Sequence, residues 1–281
     1  MSSYLSIVIF VLITIFYYIA LKLPISVAVL EDTTGNLYKQ VVGSNYIRLA
    51  IYFALVILSQ FSINISMIIN QCGGSILENI GAVALMTFIP WIFIFGMVII
   101  VLILFPGFKS AFSNVIGYFI VAGAANNIFS KLLENSDIHK AIANDPTLDE
   151  NKKQEFKNAA EAIVKMCGNL SVLINQITPF NFTEYWNLLL PLMKPEFQQS
   201  NGGIYKQQLL DIVTRRDDVG EALWYIYTAI FLTSVIQFNF TTKGCNQNLA
   251  SMKAAHDAYL TQDKADAAAL AKQQSTVYTK S

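Results

Sequence analysis

The first 130 residues carry very little charge, and this constrains the fold more than any other feature of the chain. Between their few charged residues lie three apolar runs, at 4–21, 49–69 and 82–105. Each run is about as long as the ~20 residues that a helix rising ~1.5 Å per residue needs to cross a hydrocarbon core. The whole chain is only 14% charged, against about 25% for an ordinary soluble domain. The sequence therefore predicts an all-α fold of the polytopic helical membrane class.

Two further segments bring the expected number of membrane helices to four or five. Residues 222–240 are apolar, and we expect this last membrane helix to begin at 218–221, where acidic side chains suit the first turn. Residues 112–129 are also apolar but carry three asparagines and several small residues. Amides and small side chains favour contact with other helices over exposure to lipid. This segment is either a buried fourth crossing or a re-entrant or interfacial helix, and the sequence leaves both open.

Between these segments, residues 131–221 change to the pattern of a small soluble helical domain. Thr147 and Glu150 form a capping box, the stripe that follows has helical spacing, and further helix starts are expected at Asn181 and after Gly202. The last part, 241–281, is rich in Ala, Lys, Asp and Gln and has high helix propensity but only a thin apolar stripe. We predict a polar helical tail that ends in disorder.

The basic residues beside the apolar runs predict how the chain is oriented. Lys22, Lys39 and Arg48 lie in the loop after the first run, and Lys109 follows the third, whereas the loop 70–81 has no Lys or Arg. The positive-inside rule then places loop 22–48 and Lys109 on the cytoplasmic side, with the N-terminus opposite.

The chain has no sequence pattern of an enzyme, a metal site or a cofactor site. Signatures such as GxSxG, the P-loop, HExxH and GxGxxG are missing, and neither His139 nor His256 has a second ligand at metal spacing. Asp217 and Asp218 could be paired carboxylates, but adjacent helix positions point apart, so helix capping is the preferred interpretation. Arg215 and Arg216 beside them could meet lipid headgroups. We predict no catalytic, cofactor-binding or metal residues.

Charge and cysteine content argue against nucleic-acid binding, a disulfide framework and coupled transport. The formal net charge is zero, so the chain has no overall positive field that would point to nucleic acid. Cys72, Cys167 and Cys245 are odd in number and far apart, which favours isolated thiols, although a disulfide between one pair stays open. The apolar runs have no ionisable residue near their centres, which argues against pumps and coupled transporters. Gln60 and Asn64 share one helix face and are expected to join helices.

Several short motifs resemble a membrane protein of nucleocytoplasmic large DNA viruses, a class that includes the phycodnaviruses of algae. The motifs are Phe105-Pro106-Gly107-Phe108, Phe112-Ser113-Asn114, Gly117-Tyr118, Leu173-Ile174-Asn175-Gln176-Ile177-Thr178-Pro179, Gly220-Glu221-Ala222-Leu223-Trp224-Tyr225 and Cys245. The resemblance implies a non-enzymatic virion protein of the membrane beneath an icosahedral capsid. It has no catalytic residues to transfer.

We therefore expect a structural protein that anchors the virion internal membrane to the capsid shell, after assembly in a host intracellular membrane. Its expected partners are the lipid bilayer and minor capsid proteins, contacted through 131–221 and 241–281, with homo-oligomers also allowed; many weak contacts on an icosahedral lattice would give high avidity. One alternative is an oligomeric pore lined by the amides Gln60, Asn64, Asn126 and Asn127. The other is a membrane-bound enzyme or assembly factor without a recognisable motif.

Overall fold

The all-α prediction is confirmed by a computed structural model, which describes residues 2–72, 76–133, 170–198, 202–243 and 249–277. Pairing of extended backbone within this part is limited to one isolated bridge, between Leu133 and Met193. The longer helices are α1 (Ser2–Phe16), α2 (Asn36–Cys72), α3 (Ile76–Pro90), α4 (Gly96–Leu104), α5 (Tyr118–Leu132), α6 (Phe182–Leu189), α7 (Gly203–Lys243) and α8 (Leu249–Val277).

Five segments are long and apolar enough to cross a membrane: Tyr4–Leu21, Asn36–Asn70, Asn79–Leu104, Pro106–Leu132 and Gly203–Thr242. The first two runs predicted from the sequence lie inside the first two of these segments, and the third run, 82–105, extends one residue past the end of the third segment. Helices α1, α2, α3, α4 and the second half of α7 share one buried core, which we call the bundle core. On the outer surface of these helices, apolar side chains such as Leu12, Leu58 and Phe93 are exposed. That is the pattern expected of helices whose outer surface meets lipid.

Pro90 interrupts the third membrane segment in the expected way. Helix α3 ends at Pro90, a single π-helical turn follows over Trp91–Phe95, and α4 then continues. Proline has no amide hydrogen for the helical ladder, and a π turn is one of the local adjustments that accommodate this. Trp91 is fully buried in the turn and belongs to the bundle core.

The predicted start of the last membrane helix is wrong. Helix α7 begins at Gly203 and runs without a break to Lys243, so 218–221 lie in its middle. The start expected after Gly202 is correct, but the helix does not stop before the apolar run. Continuing the ladder satisfies every backbone amide at the junction, whereas a new start there would leave four unpaired.

The first half of α7 belongs to a second buried core, which we call the domain core. It joins α5, the 3₁₀ turns over Leu170–Gln176, α6 and the part of α7 around Leu209 and Val213. Helix α6 starts after Asn181, as predicted, and it ends before Pro191. Domain and bundle are therefore two cores connected by one helix.

The segment Pro106–Leu132 lies along the first half of α7 in the opposite direction. Trp224 donates its indole N–H to the carbonyl of Phe108 over 2.9 Å, whereas further along the segment Gly117 lies against Arg216. A Cβ at Gly117 would come within 2.6 Å of the Arg216 carbonyl oxygen, and one at Gly220 within 2.7 Å of Ser113 Cβ. Glycine at these two positions is what allows the backbones to approach this closely.

Some sequence predictions lie outside the described residues. These are the capping box Thr147–Glu150, the helical stripe after it, His139 and two of the cysteines, Cys167 and Cys245. In the tail, α8 confirms the predicted helix, and its described side chains from His256 to Ala271 are exposed to solvent.

Candidate functional site

Five charged side chains meet where the bundle core ends and the domain core begins. We call them the boundary charge cluster: Lys22, Lys109, Asp217, Asp218 and Glu221. Lys22 Nζ lies 2.6 Å from Asp218 Oδ1 and 3.6 Å from Glu221 Oε2. Lys109 Nζ lies 2.6 Å from Glu221 Oε2 and 3.2 Å from Asp217 Oδ2. The cluster thus ties the end of the first membrane segment and the turn after the third to the middle of α7.

The environment of Lys22 keeps it charged. Burial lowers the pKa of Lys22, but the nearby Glu221 and Asp218 carboxylates outweigh this and raise the pKa well above its usual value. Charges withdrawn from water are tolerated when they are paired and hydrogen-bonded, and the cluster meets both conditions.

Tyrosine and phenylalanine rings fill the bundle core directly beneath the cluster. Tyr225, one turn after Glu221, donates its hydroxyl to Glu221 Oε1 over 3.0 Å. Its ring lies 5.8 Å from that of Tyr52 and 5.4 Å from that of Phe95. Tyr17 stacks on Tyr52 with ring centroids 4.7 Å apart. Aromatic pairs at these separations add packing energy beyond their buried area, so this layer holds three membrane segments and α7 together.

Deeper in the bundle, polar side chains pair across helices. Gln60 Nε2 donates to the Ser6 carbonyl over 3.1 Å, and its Oε1 accepts the Ser6 hydroxyl. Asn64 donates to the Thr87 hydroxyl over 2.9 Å. The prediction that Gln60 and Asn64 join helices is therefore confirmed.

The interpretation of Asp217 and Asp218 as helix caps is wrong, because they lie in the interior of α7 and pair with lysines. Arg216 is buried and donates Nη1 to the Ile174 carbonyl, so it does not reach headgroups as predicted, whereas Arg215 is exposed. One sequence feature could have predicted the cluster, because each member lies close to the end of an apolar run. The positive-inside rule also places Lys22 and Lys109 on the same side of the membrane.

The four amides predicted to line a pore do not converge within the chain. Gln60 and Asn64 are bonded inside the bundle, whereas Asn126 and Asn127 are exposed on α5. The described residues also contain no group of three His, Cys, Asp or Glu side chains that could hold a metal ion.

Comparison with known proteins gives no match, whether with family models, with curated proteins or with solved structures.

Proposed function

We propose that this chain is a structural protein of a viral internal membrane and anchors that membrane to the capsid shell through minor capsid proteins. The observation that carries the proposal is the continuity of α7. One helix of 41 residues enters both the domain core and the bundle core. A domain joined to a membrane bundle in this way moves with it as one body, which is the mechanical requirement for an anchor.

The interior of the bundle supports an anchoring role over a transporting one. Its charges are paired at one end, its amides bond across helices and its rings are packed against one another. Transport needs polar groups that face an aqueous path or exchange partners. The pairing described here instead holds the helices in one arrangement.

Two surfaces are available for protein partners. Helix α8 exposes a polar surface with isolated apolar residues such as Tyr259 and Leu270, and the domain exposes Phe180. At about 1.5 Å per residue, the 29 residues of α8 extend about 43 Å, enough to reach beyond lipid headgroups. The viral assignment itself derives from the motifs between 105 and 245.

The experiment is photo-crosslinking in virus particles combined with quantitative mass spectrometry. A photoreactive phenylalanine replaces Tyr259 or Phe180, and a matched control replaces Phe231, which is exposed on the membrane half of α7. We expect a high copy number in purified particles, and adducts with minor capsid proteins from 180 or 259 but not from 231. A chain abundant in infected-cell membranes but missing from purified particles would disprove the proposal.

A further inference from the structure

The segment Pro106–Leu132 is long and apolar enough to cross a membrane, but its contacts indicate that it does not cross. At its start, Phe108 and Lys109 meet Trp224 and Glu221. At its end, the Leu132 carbonyl accepts the Lys194 amide over 2.9 Å, inside the domain. The buried hydrophobic residues of this segment belong to the domain core, and none of them belongs to the bundle core. The segment therefore packs with the domain and not with the membrane helices of the bundle.

The length of α7 shows where the hydrocarbon core ends. Its 41 residues extend about 60 Å, twice the ~30 Å of a hydrocarbon core. Between Glu221 and Lys243 the helix has no charged residue, whereas the part before Glu221 carries several. The second half must be the crossing, so the first half, and the segment paired with it, lie outside the hydrocarbon.

Contacts between the start of α7 and the loop after the first membrane segment also place the first half of α7 outside the hydrocarbon core. Lys206 Nζ lies 2.5 Å from Glu31 Oε1, and the Val27 amide donates to Gln207 Oε1 over 2.8 Å. The loop and the start of α7 are therefore on one side of the bilayer. If Pro106–Leu132 crossed, the domain would be on the other side and these bonds could not form.

The outward surface of the segment is apolar near the boundary charge cluster. Val115, Ile116, Phe119 and Ile120 are exposed, with Phe119 at 76%. Leu104 and Phe105, which precede them in the chain at the end of the third membrane segment, are also exposed. Gly117 lies against Arg216, which is five residues, or about 7.5 Å, from Glu221 along α7. This distance is comparable to the roughly 5–7 Å that headgroups occupy on each side of a bilayer. Their position beside the end of the charge-free half of α7, where the hydrocarbon core ends, favours lipid over a protein as their contact.

We propose that Pro106–Leu132 is a membrane-surface element and that these four side chains contact the boundary between headgroups and acyl chains. The chain then crosses the bilayer four times. It follows that the domain lies on the same side as loop 22–48, and that α8 lies on the opposite side. This inference is independent of the proposed viral role, but if that role holds, the domain and the tail meet different partners.

Sidedness is tested by cysteine labelling in sealed microsomal vesicles after cell-free synthesis. Single cysteines replace Thr33 in the loop, Glu184 in the domain or Asp257 in α8, all three exposed, in a chain whose natural cysteines are changed to serine. With an impermeant maleimide, we expect T33C and E184C to label from one side and D257C from the other. Labelling of T33C and D257C from the same side would overturn the inference.

Contact with lipid is tested by fluorescence quenching in vesicles of phosphatidylcholine with nitroxide-labelled lipids. A bimane is attached to F119C, to F231C as a deep control and to E184C as an aqueous control. We expect the F119C probe to lose most fluorescence with a headgroup or shallow acyl nitroxide, and the F231C probe with a deep one. Strongest quenching of F119C by the deep nitroxide, or no quenching at all, would refute lipid-surface contact. In neither experiment is a virus particle needed, so these failures are separate from failure of the proposed function.

Discussion

Glu221 is the carboxylate that both lysines of the boundary charge cluster share, and its neutralisation is the sharpest test of that cluster. In E221Q the side chain keeps its shape, and Gln Oε1 still accepts the Tyr225 hydroxyl, but both lysines lose a negative partner. Breaking a buried ion pair costs about 3–5 kcal/mol. Lys22 retains Asp218 and Lys109 retains Asp217, so we expect the lower end, about 3 kcal/mol.

The matched control is D211N, which removes one negative charge from an exposed position of the same helix. An exposed polar pair of this kind contributes about 0–1 kcal/mol. For a chain of this size, 3 kcal/mol corresponds to a fall of about 6–12 °C in melting temperature. The assay heats detergent-solubilised protein and measures the monodisperse fraction by size-exclusion chromatography. If E221Q melts within a degree or two of D211N, the cluster does not stabilise the bundle and our reasoning fails.

Three further outcomes are expected from single positions. G220A should destabilise the protein by about 1–3 kcal/mol through overpacking against Ser113 and Lys109, whereas G43A, with no atom nearby, should be neutral or slightly stabilising; equal melting temperatures would contradict the close approach. W91A should lower the melting temperature far more than F93A, because Trp91 is fully buried and Phe93 is 69% exposed; the same thermal assay decides. Hydrogen bonds from Thr34 and the Leu37 amide lower the pKa of Asp32, so its stabilisation of the start of α2 should be present at neutral pH and lost as pH falls below about 4. Hydrogen exchange at Leu37 should rise in D32A at neutral pH, and unchanged exchange would count against this role.

The sequence predicted best where one physical requirement dominates. The apolar runs were correctly predicted as helices long and apolar enough to span a membrane, because each matches the ~20 residues that a hydrocarbon core requires. The partners of Gln60 and Asn64 could be anticipated in kind, since buried amides in lipid need another helix. The start of α6 after Asn181 was also correct, because a helix start signal acts over a few residues.

The errors concern signals whose meaning depends on distant residues. Asp218 and Glu221 look like a first helical turn when only their neighbours are considered. Their lysines lie 196 and 112 residues away in the chain, and no local pattern reports that distance. The same holds for Gly117 and Gly220, whose purpose is evident only once the two backbones meet.

The boundary charge cluster also has a consequence for the order of synthesis. Lys22 enters the membrane region with the first helix, but its partner Asp218 is made 196 residues later. At about 5–20 residues per second, Lys22 waits about 10–40 s for that carboxylate. During this time the first helix can leave its lysine in the headgroup region without a fixed position. Completion of α7 then locks the helices together, so a chain that terminates before residue 217 would reach the membrane with its bundle unclosed.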